Sequence, residues 1–322
     1  MKRVLLTSVL CLLAFTVSSL AETNSVERGL AWLASQQHPS GAWSTNTALN
    51  ALPLLAFLSA GHVPEAIATG PARRYADNVD RGIRFLLAQQ TPDGAFTGGG
   101  SMMYGHGIST LVLAEISGMT KRQTRVRIAL DKSIGLILRA QVIPKNNFDD
   151  GGWRYRLDST DSDLSVSVWQ IAALKAASET GIAVPQESLQ RAAAYIRRCE
   201  HPRGGFGYQP GGHPNQSRAA AGILALRLCG LPDDPAAVRA RQWLAQNPLQ
   251  WTSDYFYYAA HHCAHAGTAF DEKLLLEKQN FDGSWPAPPA SRDELRAGPL
   301  YTTSMAILAL TAQWDYLPVY LK

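Results

Sequence analysis

The chain has 322 residues, 46% hydrophobic and 17% charged, an ordinary globular mixture long enough for one large core or two small ones. Its formal net charge is +4, with two of the positive charges on Lys2 and Arg3. No basic run carries interleaved aromatics, so nucleic acid is excluded as the expected partner.

Residues 1–21 read as a secretory signal. Lys2 and Arg3 form a charged start, Val4 to Val17 an apolar stretch, and Ser19-Leu20-Ala21 a small-residue cleavage pattern. The apolar stretch is short for a membrane span, and no later segment is suited to cross a bilayer. The expectation is a mature chain exported to the periplasm or the medium. Of the cysteines, Cys11 lies in the signal, and Cys199, Cys229 and Cys263 have neither disulfide-framework nor zinc spacing.

The rest of the chain repeats one phrase, in which an apolar helix and a glutamine are followed by a glycine and an aromatic. It reads Gln36-Gln37-His38-Pro39-Ser40-Gly41-Ala42-Trp43 and returns as Gln89-Gln90-Thr91-Pro92-Asp93-Gly94-Ala95-Phe96. It recurs from Gln141 to Trp153, without the glutamine from Cys199 to Phe206, in degraded form ending at Trp251, and from Gln279 to Trp285. A spacing near ~50 residues marks repeat architectures, whose units bury their apolar faces only against neighbours.

In chain order, the stretches before the phrase are amphipathic: Val26–Gln36, Val79–Gln89, Arg125–Gln141, Glu187–Cys199, Pro235–Gln246 and Phe270–Lys278. Those after it are apolar on every face: Thr47–Ala60, Tyr104–Ser117, Leu164–Ser178, Gln216–Cys229, Tyr255–Ala266 and Tyr301–Trp314. A helix apolar all round belongs inside. The pattern predicts an all-α fold, one (α/α)6 toroid of six helix pairs over residues 22–322, with the second helix of each pair innermost.

The phrase Arg28-Gly29…Leu33…Gln36…Gly41-Ala42-Trp43 resembles the glutamine–tryptophan repeat of squalene–hopene cyclases and related prenyltransferase-type toroids. Tyr104-Gly105-His106-Gly107, Gly151-Gly152-Trp153-Arg154-Tyr155, Gly204-Gly205-Phe206-Gly207-Tyr208 and Tyr301-Thr302-Thr303 are similar to a bacterial group of squalene-cyclase-like repeat proteins. In the cyclases an Asp-x-Asp-Asp motif supplies the proton that starts polyene cyclisation. The resemblance places Asp161 at the first Asp and Asp163 at the donor, while Leu164 replaces the third Asp. It differs from the cyclases in having one helical domain, not two, and in the expected export. The zinc ligands of the protein prenyltransferases are replaced, with Phe256 at the cysteine position after Asp254 and Thr302 at the histidine position. No metal and no cofactor are expected.

If the toroid forms, all six inner helices start at the same rim. Around that mouth stand Tyr104, His106, Asp161, Asp163, Arg218, Asp254, Tyr255 and Tyr301, with Arg154 and Arg156 in an adjoining loop and Trp169 and Tyr258 deeper along their helices. Asp161, Asp163 and Asp254 also stand where N-caps belong, each worth ~1 kcal/mol to its helix. His106 is either a core histidine or a partner of the acid, and His261 and His265, spaced i and i+4, lack an obvious third metal ligand. Two readings stay open. One is a terpene cyclase or isomerase acting on a polyisoprenoid, with Asp163 as proton donor, Asp161 and His106 in support and tyrosines steadying the carbocation. The other is a non-catalytic toroid whose anion-friendly rim binds a hydrophobic ligand or a protein partner.

Overall fold

The computed structural model describes residues 22–321. The expected signal segment, residues 1–21, lies outside the described residues. The described residues are helical and hold no strand, only two isolated bridges, Trp153 with Asp163 and Glu200 with Phe206. Helix α1 covers residues 22–36. There follow α2 (Ala48–Ser59), α3 (Ala76–Ala88), α4 (Met102–Glu115), α5 (Gln123–Gln141), α6 (Leu164–Glu179) and α7 (Gln186–Arg198). After these come α8 (Gln216–Leu228), α9 (Pro235–Gln246), α10 (Phe256–Ala266), α11 (Lys273–Leu276), α12 (Arg292–Ala297) and α13 (Pro299–Leu310).

Hydrophobic periodicity decides which helices lie inside. In α3 only Ala76, Val79, Gly82, Ile83, Leu86 and Leu87 are buried, one stripe at three- and four-residue spacing. In α2 every residue from Asn50 to Ser59 is buried, and in α13 every residue from Thr302 to Leu310. The inner helices form a closed ring: α2 packs on α4, α4 on α6, α6 on α8, α8 on α10, α10 on α13, and α13 again on α2. The expected α/α toroid is what the chain forms.

The repeated phrase is the clamp between successive pairs. The Trp43, Trp153 and Trp285 indoles donate to the carbonyls of Leu33, Ile137 and Leu275 at 2.7, 2.8 and 2.8 Å, tying each turn to its own outer helix. The glutamine amide reaches the next one. Gln37 donates to Asn78 O at 3.0 Å, Gln90 to Ala129 O at 2.8 Å and Gln141 to Ser188 O at 2.9 Å. Gln279 closes the ring with Ser25 O of α1 at 2.8 Å.

The glycine of the phrase has a steric reason. Gly283 has φ +94°, and a Cβ there would lie 2.4 Å from Arg28 O on α1. Gly283→Ala is therefore expected to cost about 2 kcal/mol or more, since the left-handed backbone alone penalises a side chain by 1–2 kcal/mol. Denaturant unfolding checks this; a loss below about 0.5 kcal/mol would show that the contact yields freely.

The sixth outer helix, expected over Phe270–Lys278, is a single turn, Lys273–Leu276. Asp271 Oδ1 accepts from Lys273 N at 3.0 Å, a local side-chain bond that competes with helix propagation upstream. Cys199, Cys229 and Cys263 are free thiols.

Candidate functional site

The starts of all six inner helices contribute to one cavity of about 730 Å³. Its apolar wall includes Leu49 and Leu52 of α2, Ile108 of α4, and Leu164 and Trp169 of α6, together with Tyr104, Tyr155, Tyr208, Tyr258 and Tyr301. Charged groups join them: Arg154 from the loop before α6, Arg218 of α8, and Asp293, Glu294 and Arg296 of α12. Asp293 and Arg296 are largely exposed, with side chains 56% and 84% accessible, and mark the mouth. Of the nine residues expected to touch a ligand, Tyr104, Trp169, Arg154, Arg218, Tyr255, Tyr258 and Tyr301 line this cavity. Arg156 and Asp254 do not. Arg156 is exposed and forms an ion pair with Asp158 at 2.9 Å, and Asp254 is exposed ahead of α10.

The three expected catalytic groups, Asp163, Asp161 and His106, also lie off the cavity wall. Asp163 is fully buried as the N-cap of α6. Its Oδ1 accepts from Val166 N at 2.8 Å and from the Ser165 hydroxyl at 2.7 Å, and its Oδ2 from Arg154 at 3.2 Å. Burial pushes its carboxyl above the ordinary value, while the Ser165 hydroxyl, the Val166 amide, Arg154 and Tyr208 pull the other way. The Ser165 hydroxyl also meets Tyr104 Oη at 2.7 Å. Asp163 therefore communicates with the cavity through Ser165, a lining residue. Asp161 is half exposed and shares Arg154 at 3.2 Å. Arg154 in turn lies over the rings of Tyr155 and Tyr208, 4.7 and 5.1 Å from their centroids.

His106 holds the second turn in place. Its Nδ1 accepts from Phe96 N at 3.3 Å and its Nε2 faces Ser133 O at 3.1 Å, so both ring nitrogens are spent on backbone. Asn50, Ser167 and Thr303 accept the Trp43, Trp153 and Trp285 amides in the same way. Desolvation lowers the His106 pKa to about 4 against 6.5 for a free imidazole. Between those two values the unfolded chain holds a proton that the folded chain lacks, so stability falls as pH drops from 6.5 towards 4. The loss attributable to this residue is about 3 kcal/mol. His106→Gln should flatten the pH dependence of stability over that window, and denaturant titrations at pH 6.5 and 4.5 measure the difference.

Two functional side chains are given no role by the sequence motifs. One is Ser165. The other is Glu294, which substitutes for the expected Asp254 cap: its Oε1 accepts from Tyr257 N at 2.9 Å and Tyr258 N at 3.2 Å across 37 and 36 positions of sequence. Glu294 is 1% exposed, and its Oε2 accepts no hydrogen bond. Burial, only partly offset by those amides and by Ser291, pushes its carboxyl up to about 7. Ahead of α10, Tyr255 takes a left-handed backbone (φ 54°) that turns its hydroxyl to Asp293 Oδ2 at 2.7 Å.

Beyond the cavity wall, His261 stacks on Trp169 with ring centroids 5.4 Å apart, and its ring centroid is 4.6 Å from that of His265. Among the described residues no three His, Cys, Asp or Glu side chains are placed to share a metal ion. Nor is any helix among them long and apolar enough to cross a membrane.

A ring of six apolar helices, shielded by amphipathic partners and hollow at one end, defines the class of α/α toroids. The family model of the prenyltransferase alpha-alpha toroid domain matches residues 65–256, and the chain belongs to this family. It is 29% identical over 149 residues to drimenyl diphosphate synthase of Streptomyces showdoensis, an alignment covering 45% of this chain and 25% of that protein. The chain thus spans about a quarter of the length of that curated relative. Among solved structures, the type II terpene cyclase MstE from Scytonema aligns with 92% of this chain and 99% of its own at 16% identity, TM-score 0.39. A family 88 glycosyl hydrolase from Bacteroides vulgatus aligns with 92% of this chain and 99% of its own at 11% identity, TM-score 0.44. At these scores neither likeness bears on activity.

Proposed function

We propose that this protein takes a polyisoprenoid with an anionic head group into its cavity and rearranges it by protonation, as a terpene-cyclase-like enzyme. The observation that carries this reading is the cavity itself, about 730 Å³ and walled by the rings of Tyr104, Tyr155, Trp169, Tyr208, Tyr258 and Tyr301. That volume lies within the roughly 300–1,000 Å³ of small-molecule sites. Aromatic faces suit both an unsaturated hydrocarbon and a developing carbocation. Arg218 suits the head group: it donates to His213 O at 3.0 Å and has no carboxylate within ion-pair distance among the described residues. The name of the Streptomyces relative points to the same class of molecule.

Calorimetric titration with farnesyl diphosphate and with farnesol tests the reading. The expected result is saturable binding that favours the diphosphate. Arg218→Ala should weaken diphosphate binding by about 10- to 100-fold, the loss of one charge-assisted hydrogen bond, and leave farnesol unaffected. Absence of binding to either compound would overturn the reading. The second reading, a non-catalytic ligand- or protein-binding toroid, is favoured by the full engagement of both Asp163 oxygens, and it predicts that bound farnesyl diphosphate is recovered unchanged.

Export to the periplasm or the medium, after removal of residues 1–21, belongs to the same proposal. N-terminal sequencing of the protein recovered outside the cytoplasm should begin at Glu22; an intact Met1 in the cytoplasmic fraction would refute it.

A further inference from the structure

The acid that a protonating enzyme needs must lie on the cavity wall and must have an oxygen free to carry the proton. Asp163 meets neither condition. It is absent from the wall, and each of its oxygens accepts a hydrogen bond, from Val166 N and Ser165 on one side and Arg154 on the other. Both acceptor sites of Oδ1 are taken, and a proton on Oδ2 would stand against the Arg154 guanidinium, which favours the ionised form.

Glu294 meets both. It lines the cavity, it is 1% exposed, and its two oxygens are inequivalent. Oε1 accepts two backbone amides, as a carbonyl oxygen does, and Oε2 has no partner. A neutral carboxyl in this setting has one site for its hydrogen, and that site is Oε2. No arginine or lysine forms an ion pair with Glu294 among the described residues. The groups around it are Asp254, which disfavours its ionised form, the Ser291 hydroxyl, which favours it, the Tyr257 and Tyr301 hydroxyls, which stay neutral, and Arg292, Asp293 and Arg296 on its own helix.

We infer that Glu294 is the proton donor of the cavity and that Asp163 is the buried anchor that holds Arg154 and the start of α6. This assignment rests on the reading of the cavity as a polyisoprenoid site. In the step it performs, the Oε2–H bond breaks and leaves its electron pair on the carboxylate. The π pair of the substrate's alkene forms the new C–H bond, and a tertiary carbocation remains. Ring closure consumes further π pairs. Loss of a proton next to the final cation gives the product alkene and returns one proton, through water, to the carboxylate. The net change is an isomerisation that needs no oxidant, reductant or second substrate.

The first test needs no substrate. In infrared spectra of the intact protein, the carbonyl stretch of a protonated carboxyl is followed from pH 5 to pH 9. The expected result is a component of that band that disappears with a midpoint near 7, is missing from the difference spectrum of Glu294→Gln and persists in Asp163→Asn, while the carboxyls of Glu115, raised to about 8, and Glu272, raised to about 7, contribute equally in all three proteins. Glutamine keeps an Oε1 acceptor for the Tyr257 and Tyr258 amides, so this variant should retain the wild-type melting temperature to within a few degrees. A wild-type spectrum identical to that of Glu294→Gln, or loss of the component in Asp163→Asn instead, would overturn the assignment.

The second test uses farnesyl diphosphate in deuterium oxide. The wild-type enzyme should place one deuterium in the cyclised product, and Glu294→Gln should bind the diphosphate with wild-type affinity but turn it over at least 100-fold more slowly. Turnover by Glu294→Gln at the wild-type rate would reject Glu294 as the donor while leaving the substrate reading intact. Failure of the wild-type protein to bind the diphosphate would reject the substrate reading, with the infrared result still deciding where the proton resides.

Discussion

Replacing Trp285 by alanine is expected to destabilise the fold by about 3–5 kcal/mol, the range for deleting a large, fully buried aromatic. The side chain is 0% exposed, its indole donates to Leu275 O at 2.8 Å, and its backbone amide donates to Thr303 Oγ1 at 3.0 Å. The ring also reaches the first helix, where a Cβ at Gly29 would lie 2.7 Å from Trp285 Cζ3. Trp285 thus fills the seam where the last pair meets the first, and Leu275 belongs to an outer helix of only one turn with little packing of its own. In a chain of this size the loss should lower the melting temperature by roughly 6–15 °C. A fall below about 3 °C would mean that the seam is held elsewhere. Trp43, which is 8% exposed, should show a smaller loss on the same substitution.

Arg154→Ala should cost about 3 kcal/mol at neutral pH, because it leaves a buried carboxylate without its counter-charge. Arg154 is one-fifth exposed and bridges Asp161 and Asp163, each at 3.2 Å, while Asp163 is 0% exposed. The penalty should shrink on acidification. Burial already holds the Asp163 carboxyl above its ordinary value, and losing the cation raises it further. An acid raised in the folded state contributes stability at low pH that is lost as pH rises through its folded pKa, so lowering the pH restores what the substitution removed. In an Asp163→Asn background the same substitution should cost less than half as much. Urea titrations of the four proteins of this cycle at pH 5 and pH 7 measure the coupling. Equal costs in both backgrounds would mean that Arg154 acts through the rings of Tyr155 and Tyr208.

The architecture was legible because local periodicity and the toroid agree. The stripe Val79-Gly82-Ile83-Leu86 announces an outer helix, the unbroken apolar run from Ala51 to Leu58 an inner one, and the returning Gln…Gly-aromatic phrase joins them. Five of the six outer helices and all six inner ones form within a few residues of their expected bounds. The convergence of the inner helix starts on one cavity followed from that alternation, and it placed Tyr104, Arg218, Tyr258 and Tyr301 on the wall.

What remained hidden depends on contacts distant in sequence. Asp254 has the residue type and position of a cap, but Tyr255 adopts a left-handed turn and the cap arrives from Glu294, on a six-residue helix within a proline-rich connection. No spacing rule reports a partner some 37 residues away. The Asp161/Asp163 pair was visible as a motif, whereas the burial of Asp163 beneath Ser165 and Arg154 is a property of packing. His106 and Asn50 occupy different positions after their aromatic, so their shared task emerges from the hydrogen bonds alone.

Gln279 binds Ser25 across 254 positions, and Gln313 reaches back to Glu22 at 3.2 Å. The first and last helical pairs are therefore neighbours like any other two, and the ring has no privileged starting unit. A linker joining Leu321 to Glu22, with new termini opened in the exposed turn around Lys121, should give a circular permutant with the same cavity. Removing any whole pair would leave two inner helices with bare faces that five units cannot bring together. An open solenoid tolerates gain or loss of a repeat; a closed ring fixes the number of repeats by its curvature.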